Sequence, residues 1–223
     1  MIQIYPPTPK KIKSKIILPS SKSESNRILA IKAISGLNIH ISNLAPSKDT
    51  VVMQQILRDV EIGKKEFNVG HAGTTIRFLT AYLSTGDGEY ILTGSERMKQ
   101  RPIGVLVDNL RKLGAQISYV ENEGFPPLKI TGKKLQGKKL LVDGSISSQF
   151  ISALLMIAPN LESDLELSFT STPVSIPYIN MTIALMRMYG AEVDWVGAKI
   201  LCKAKKYSLN ESNKNYSIEG DWS

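Results

Sequence analysis

Apolar positions recur along this chain at two spacings. Six stretches carry them every three or four residues, each opening at a capping or breaking residue. That spacing predicts helices starting near Ser23, Asp49, Gly73, Pro102, Ser147 and Pro177. Between them run short alternating or β-branched stretches: "GEYILTG", "AQISYV", "PLKITG", "KKLLVDG", "DLELSF" and "AEVDWV". These predict strands. Helices and strands alternate, so the fold class is α/β, or an interleaved α+β.

Two patterns sharpen this. "PIGVLVDNLRKLGAQISYV" from Pro102 matches "PYINMTIALMRMYGAEVDWV" from Pro177 in layout. Each opens on Pro, whose missing N–H costs nothing at a helix start. Each stops its helix at Gly114 or Gly190 and then enters a strand. A repeat of this period implies copies of one helix-strand unit. The second pattern is "SSQFISALLMIAP", apolar nearly all round beyond Gln149. Such a helix is buried on every side, so helices are expected inside and sheets outside.

With 223 residues and 42% hydrophobic content, the chain can bury a substantial core. No apolar run approaches the roughly 20 residues of a membrane helix, and "MIQIYPPTPKKIKSK" lacks a signal-type apolar stretch. The single cysteine, Cys202, permits neither an internal disulfide nor a cysteine zinc site. A cytoplasmic location is the expectation. Net charge is +8, with 28 Lys plus Arg against 20 Asp plus Glu. The charge is dispersed and not interleaved with aromatics, which favours small acidic substrates over nucleic acid. Lys133, Lys134, Lys138 and Lys139 read as a solvated loop or hairpin.

The chemistry concentrates at helix starts. In "LPSSKSESNRILAIKAISG", Ser21 and Glu24 have capping-box spacing, which meets the helix's own need. Lys22, Ser23 and Arg27 are then surplus, and an anion docked at the helix start would account for them. In "NVGHAGTTIRFLTAYLS", Gly70 and Gly73 bracket a turn, Thr74 opens a helix with a buried stripe of Ile76, Leu79 and Leu83, and Arg77 follows one turn later. His71 in that turn reads as polar surface. Arg97, Lys99 and Arg101 precede the Pro102 helix, with Arg101 beside its start. Ser147, Ser148 and Gln149 open the apolar helix after an Asp143–Gly144 turn. Ser175 precedes the Pro177 helix, with Tyr178 in its first turn. Five helix starts thus carry hydroxyls, cations or glycines and almost no carboxylates. Side by side, they would make one anion-binding face.

In this order, "SKSESNR", "GHAGTTIRF", "RMKQRPIG", "VDGSISSQF" and "PYIN" resemble the 5-enolpyruvylshikimate-3-phosphate synthases, the 3-phosphoshikimate 1-carboxyvinyltransferases. The resemblance runs from "LPSSKSESNR" to "YSIEGDWS". It implies transfer of the enolpyruvyl group of phosphoenolpyruvate to the 5-hydroxyl of shikimate 3-phosphate, by addition and then elimination of phosphate. It implies no metal or other cofactor, and a monomeric full-length protein. The implied fold is an enolpyruvyl transferase-like domain of repeated helix-strand units, with buried parallel helices and sheets outside. Carried over by motif, Lys22, Ser23 and Arg27 contact shikimate 3-phosphate, with Lys22 also near phosphoenolpyruvate and the one catalytic group placed here. Ser147, Ser148, Gln149, Ser175 and Tyr178 hold the phosphate and ring. Gly73, Thr74 and Arg101 lie on the phosphoenolpyruvate side.

Three positions depart from the family pattern. His71 stands where asparagine is common, Phe78 where proline is common, and Ile176 where lysine is frequent. Family chains are also about twice as long. The expectation is therefore a half enzyme, inactive alone, whose partner is its own second domain, with that domain supplying the acid–base groups. Residues 1–17 would belong to the edge of that domain and be poorly anchored, residues 18–215 would form the shikimate 3-phosphate-binding domain, and residues 216–223 would begin the crossover. Two other readings stand beside this one. A UDP-N-acetylglucosamine enolpyruvyl transferase would share the fold but commonly carries a loop cysteine and an "AKN"-type opening. A non-enzymatic anion- or nucleic-acid-binding module would show salt-sensitive RNA binding and no response to shikimate 3-phosphate.

Overall fold

Local capping sets the helix starts. Ser21 Oγ accepts from the Glu24 amide at 3.4 Å, Ser47 Oγ from the Thr50 amide at 3.2 Å, and Ser147 Oγ from the Gln149 amide at 3.3 Å. In the computed structural model, which describes residues 17–221, the elements are α1 (Lys22–Ser35), β1 (His40–Ser42), α2 (Lys48–Glu61), β2 (Glu66–Asn68), α3 (Gly73–Thr85) and β3 (Gly88–Thr93). Next come α4 (Glu96–Lys99), α5 (Gly104–Lys112), β4 (Gln116–Tyr119), β5 (Leu128–Gly132), β6 (Lys139–Val142), α6 (Ser148–Ile157) and β7 (Leu165–Phe169). The last are α7 (Ile176–Met188), β8 (Val193–Val196), β9 (Lys199–Cys202) and β10 (Asn215–Ser217). All six predicted helices and six predicted strands are present. The short helix α4 and the strands β1, β2, β9 and β10 were not expected from the pattern.

The repeat extends to whole sheets. Strand order is β2-β3-β5-β4 in one and β6-β7-β9-β8 in the other. In each the first pair is parallel and the other two are antiparallel. The matched segments even share a brace. Arg111 donates through Nε and Nη2 to the Ile117 carbonyl at 3.0 and 2.7 Å, and Arg187 donates through the same two nitrogens to the Val193 carbonyl. Gly114 and Gly190 follow those helices at φ 103° and 82°, the left-handed region open to glycine. A third copy is shorter: α1, β1 and α2, with β10 parallel to β1 where the other sheets have β2 and β6. No antiparallel hairpin pairs with β1 among the described residues; Lys32 Nζ instead caps the Ile39 carbonyl at 2.8 Å.

Helices occupy the middle. On α6 every residue except Gln149 is buried, and on α3 every residue from Gly73 to Ser84 except Tyr82. The narrow apolar stripe expected on α3 is therefore a nearly complete jacket. Sheet strands alternate: Leu140, Val142, Ile200 and Cys202 point inward while Leu141 and Leu201 face solvent. Burial pushes the Cys202 thiol up to about 12, so it stays protonated and inert. No helix among the described residues is long and apolar enough to cross a membrane.

The expectation for the residues before Leu18 lies outside the described residues, except for Ile17. At the other end, Ser20 and Gly220 form an antiparallel bridge, the Ser21 amide donates to the Glu219 carbonyl at 2.9 Å, and Ile218 is buried.

Candidate functional site

Helices α1, α3, α6 and α7 present their N-termini to one cavity of about 290 Å³. It is lined by Lys22, Ser23, Arg27, Thr74, Ser147, Ser148, Gln149, Ser175 and Tyr178. These are all the candidate residues except Gly73 and Arg101. Four helix dipoles direct their positive ends at this space, and among the described residues no carboxylate lines it. The fifth expected start does not join them. Helix α5 opens at Gly104, two residues later than predicted, and the Ile103 and Gly104 amides both donate to the Gly124 carbonyl, at 2.9 and 3.1 Å. Backbone hydrogen bonding to the 122–127 loop draws that end away.

Arg27 is the buried cation of the cavity, 2% exposed. Its Nε donates to Thr182 Oγ1 at 2.7 Å, Nη1 to the Ser23 carbonyl at 2.8 Å and Nη2 to Ser152 Oγ at 3.3 Å. The Phe78 and Tyr178 rings lie 5.7 and 5.6 Å from its Cζ. Every one of these partners, among the described residues, is neutral. Burial pushes the guanidinium down to about 10, still charged at neutral pH. A buried charge without a counter-ion is costly, and an anion in the cavity would supply the missing partner.

The expected capping box at the start of α1 is only half formed. The Glu24 carboxylate does not return to the Ser21 amide, which is already bound to Glu219. It accepts instead from the Tyr216 hydroxyl and, at 3.2 Å, from the Glu219 amide. The acid is thereby turned away from the cavity. Ser175 sits at φ 55°, ψ 40°, a left-handed conformation unusual for a non-glycine residue, and its hydroxyl makes no cap bond to α7.

Gly73 and Arg101 form a neighbouring group around the start of α3. A Cβ on Gly73 would lie 2.3 Å from Arg101 Nη1 and 3.0 Å from Arg77 Nη1. The Arg101 side chain therefore packs on Gly73, not on the start of α5 as its sequence position suggested. Arg77 Nη1 donates to the Gly73 carbonyl at 2.7 Å and to Gln149 Oε1 at 2.9 Å, and Gln149 Nε2 donates to Thr74 Oγ1 at 3.3 Å. Burial, then the nearby Arg101 charge, pushes Arg77 down to about 10. Beyond Gly73 a space of about 410 Å³ is lined by His71, Arg97, Met98 and Arg101. His71 is exposed and pairs with Ser95 Oγ at 2.8 Å, consistent with polar surface.

Sequence reading missed Asp49, Ser152 and Thr182. Asp49 of α2 caps α3 from outside, accepting from the Thr74 and Thr75 amides at 3.4 and 3.2 Å. Ser152 and Thr182 are lone hydroxyls within apolar helical runs, and that isolation was the available signal.

The EPSP synthase (3-phosphoshikimate 1-carboxyvinyltransferase) family profile matches residues 59–223. A 3-phosphoshikimate 1-carboxyvinyltransferase of Bacteroides fragilis is 47% identical over 216 residues, covering 96% of this chain and 51% of that protein. One from Colwellia psychrerythraea is 42% identical over 234 residues, covering 95% of this chain and 55% of that protein. The solved EPSP synthase of Acinetobacter baumannii superposes with a TM-score of 0.77 at 22% identity, over 93% of this chain and 50% of that one; it shares the fold. The chain thus spans about half the length of the relatives it matches. Because the profile covers most of the chain, including the Gly73 turn, Arg101 and the openings of α6 and α7, the chain belongs to the EPSP synthase family.

Proposed function

We propose that this chain holds the shikimate 3-phosphate side of an enolpyruvyl transferase. The reaction joins the substrate's 5-hydroxyl oxygen, which gives up its proton to a base, to C2 of phosphoenolpyruvate while C3 takes a proton. Phosphate and a C3 proton then leave. Both substrates are polyanions, and bringing them together means offsetting their mutual repulsion. Four helix N-termini with Lys22 and Arg27 are suited to that, because preorganised donors stabilise charge without reorganising. In this reading Lys22, Ser23, Arg27, Ser147, Ser148, Gln149, Ser175 and Tyr178 bind shikimate 3-phosphate, and Gly73, Thr74 and Arg101 face phosphoenolpyruvate. The chemistry needs acid–base groups from a second domain, its partner in the cytoplasmic full-length enzyme. The chain alone then gives no turnover.

The observation that carries this reading is Arg27, a buried cation whose partners are all neutral. Calorimetric titration with shikimate 3-phosphate, with shikimate as control, tests it. Saturable uptake that needs the phosphate and is strongly weakened in Arg27→Ala and Ser147→Ala is the expected result. Equal uptake by those variants, or none by the wild-type chain, would refute a half-site. Phosphate release from phosphoenolpyruvate by the chain alone would refute the need for a second domain.

A further inference from the structure

Arg27, Ser152 and Thr182 come from three helices, α1, α6 and α7, and are 2%, 0% and 0% exposed. Their hydrogen bonds can be directed. Thr182 Oγ1 lies 2.7 Å from Arg27 Nε, 2.8 Å from Ser152 Oγ and 2.9 Å from the Tyr178 carbonyl. Ser152 Oγ lies 3.3 Å from Arg27 Nη2. Each hydroxyl has one proton to give. If Thr182 gave its proton to Ser152, the Ser152 proton would have no acceptor among these contacts. If Ser152 gives to Thr182 and Thr182 gives to the Tyr178 carbonyl, every proton is placed. Both hydroxyl oxygens then turn lone pairs toward the guanidinium.

We propose that Thr182 and Ser152 are positioning residues that fix the plane of the Arg27 guanidinium through neutral acceptors. They leave its charge uncompensated for an anion in the cavity. A carboxylate here would hold Arg27 equally well but would cancel the charge the ligand needs. Of the five guanidinium N–H groups, three are taken by Thr182, Ser152 and the Ser23 carbonyl. The remaining two are left for a ligand. Thr182 also ties Arg27 to the backbone of Tyr178, so two cavity residues share one support. The inference deepens the proposed shikimate 3-phosphate reading and, for its affinity part, rests on it.

Two measurements test it. The first needs no ligand: proton exchange at Arg27 Nε, followed by nitrogen-15 NMR of the whole chain. Exchange is expected to be slow in wild type and Thr182→Ser, and fast in Thr182→Val. Wild-type exchange as fast as at exposed Arg101 would overturn the proposal. The second is calorimetric titration with shikimate 3-phosphate. Thr182→Val should raise Kd about tenfold or more, as expected for a lost hydrogen bond to a charged group, and Thr182→Ser should restore binding. In an Arg27→Ala background Thr182→Val should add no further loss. An equal added loss there would mean that Thr182 merely supports the fold, and would overturn the proposal. Should Thr182→Val not fold, Ser152→Ala enters the same exchange measurement and the same cycle. If the wild-type chain takes up no shikimate 3-phosphate, the ligand reading fails, and the exchange measurement alone decides the positioning role.

Discussion

The Arg101 side chain lies against the bare Cα of Gly73, where a Cβ would stand 2.3 Å from Nη1. Two segments separated by α3 and β3 meet there only because position 73 has no side chain. The nearest atom in the way is the far end of an exposed, flexible arginine, and the next, Arg77 Nη1 at 3.0 Å, has to give by only a few tenths of an ångström. Gly73→Ala should therefore leave thermal stability within about 1 kcal/mol of wild type, since Arg101 swings aside. If the cationic group serves phosphoenolpyruvate, the same substitution should weaken uptake of that ligand by tenfold or more, a loss of about 1.4 kcal/mol. Thermal melting and titration with phosphoenolpyruvate in the presence of shikimate 3-phosphate check both parts. A large loss of stability would mean that Arg101 cannot yield.

Asp49 makes a different prediction. It is the acceptor for the Thr74 and Thr75 amides at the start of α3, which has no side-chain cap of its own. Asp49→Ala should cost about 1–2 kcal/mol of folding stability, read from urea unfolding. It also removes the one nearby charge that favours the charged form of Arg77. Asp49→Asn, which keeps one acceptor oxygen, should lie between the two.

What could be read from the sequence follows from the range of the physics. Caps, prolines and glycines act within a few residues, so the six main helices were placed within about two residues of their observed starts. The convergence of four of them, α1, α3, α6 and α7, on one cavity followed from the shared excess of donors over carboxylates at their starts. The rest depends on contacts across the chain. β1 is three residues long and exists because β10, from the far end, lies parallel to it. Asp49 marked the start of α2 and serves α3. Glu24 looked like half a capping box and was captured by Tyr216 and Glu219. Arg101 stands one residue before Pro102, yet packs on Gly73.

The Glu24–Tyr216 contact predicts an alkaline effect. Burial, then the hydrogen bond to the Glu24 carboxylate, raises the Tyr216 hydroxyl well above its ordinary value. Because the folded state holds this proton more tightly than the unfolded state, the contribution is fully present below the unfolded value of about 10. It is lost as pH climbs from there toward the folded value. Tyr216→Phe should cost about 1–2 kcal/mol at neutral pH. The gap between wild type and variant in urea unfolding should narrow as pH rises past about 10. A gap that stays constant there would show that the hydroxyl contributes nothing through its proton.

Ser175 opposes stability to function. Its left-handed backbone at φ 55° costs a non-glycine residue roughly 1 kcal/mol, and glycine avoids that cost. The Ser175 hydroxyl makes no bond to α7 that would repay it, and the residue lines the cavity. Ser175→Gly should therefore stabilise the fold slightly, by up to about 0.5 kcal/mol after the added freedom of the unfolded chain is deducted. The same change removes a hydroxyl from the cavity, so affinity for shikimate 3-phosphate should fall by about tenfold, the scale of one hydrogen bond to a charged ligand. Ser175→Ala separates the two effects: it keeps the backbone cost, loses the hydroxyl, and should lose affinity without gaining stability. Melting temperature and Kd measured on the three proteins decide the matter. If Ser175→Gly binds as well as wild type, the strained serine is not held in place by its ligand.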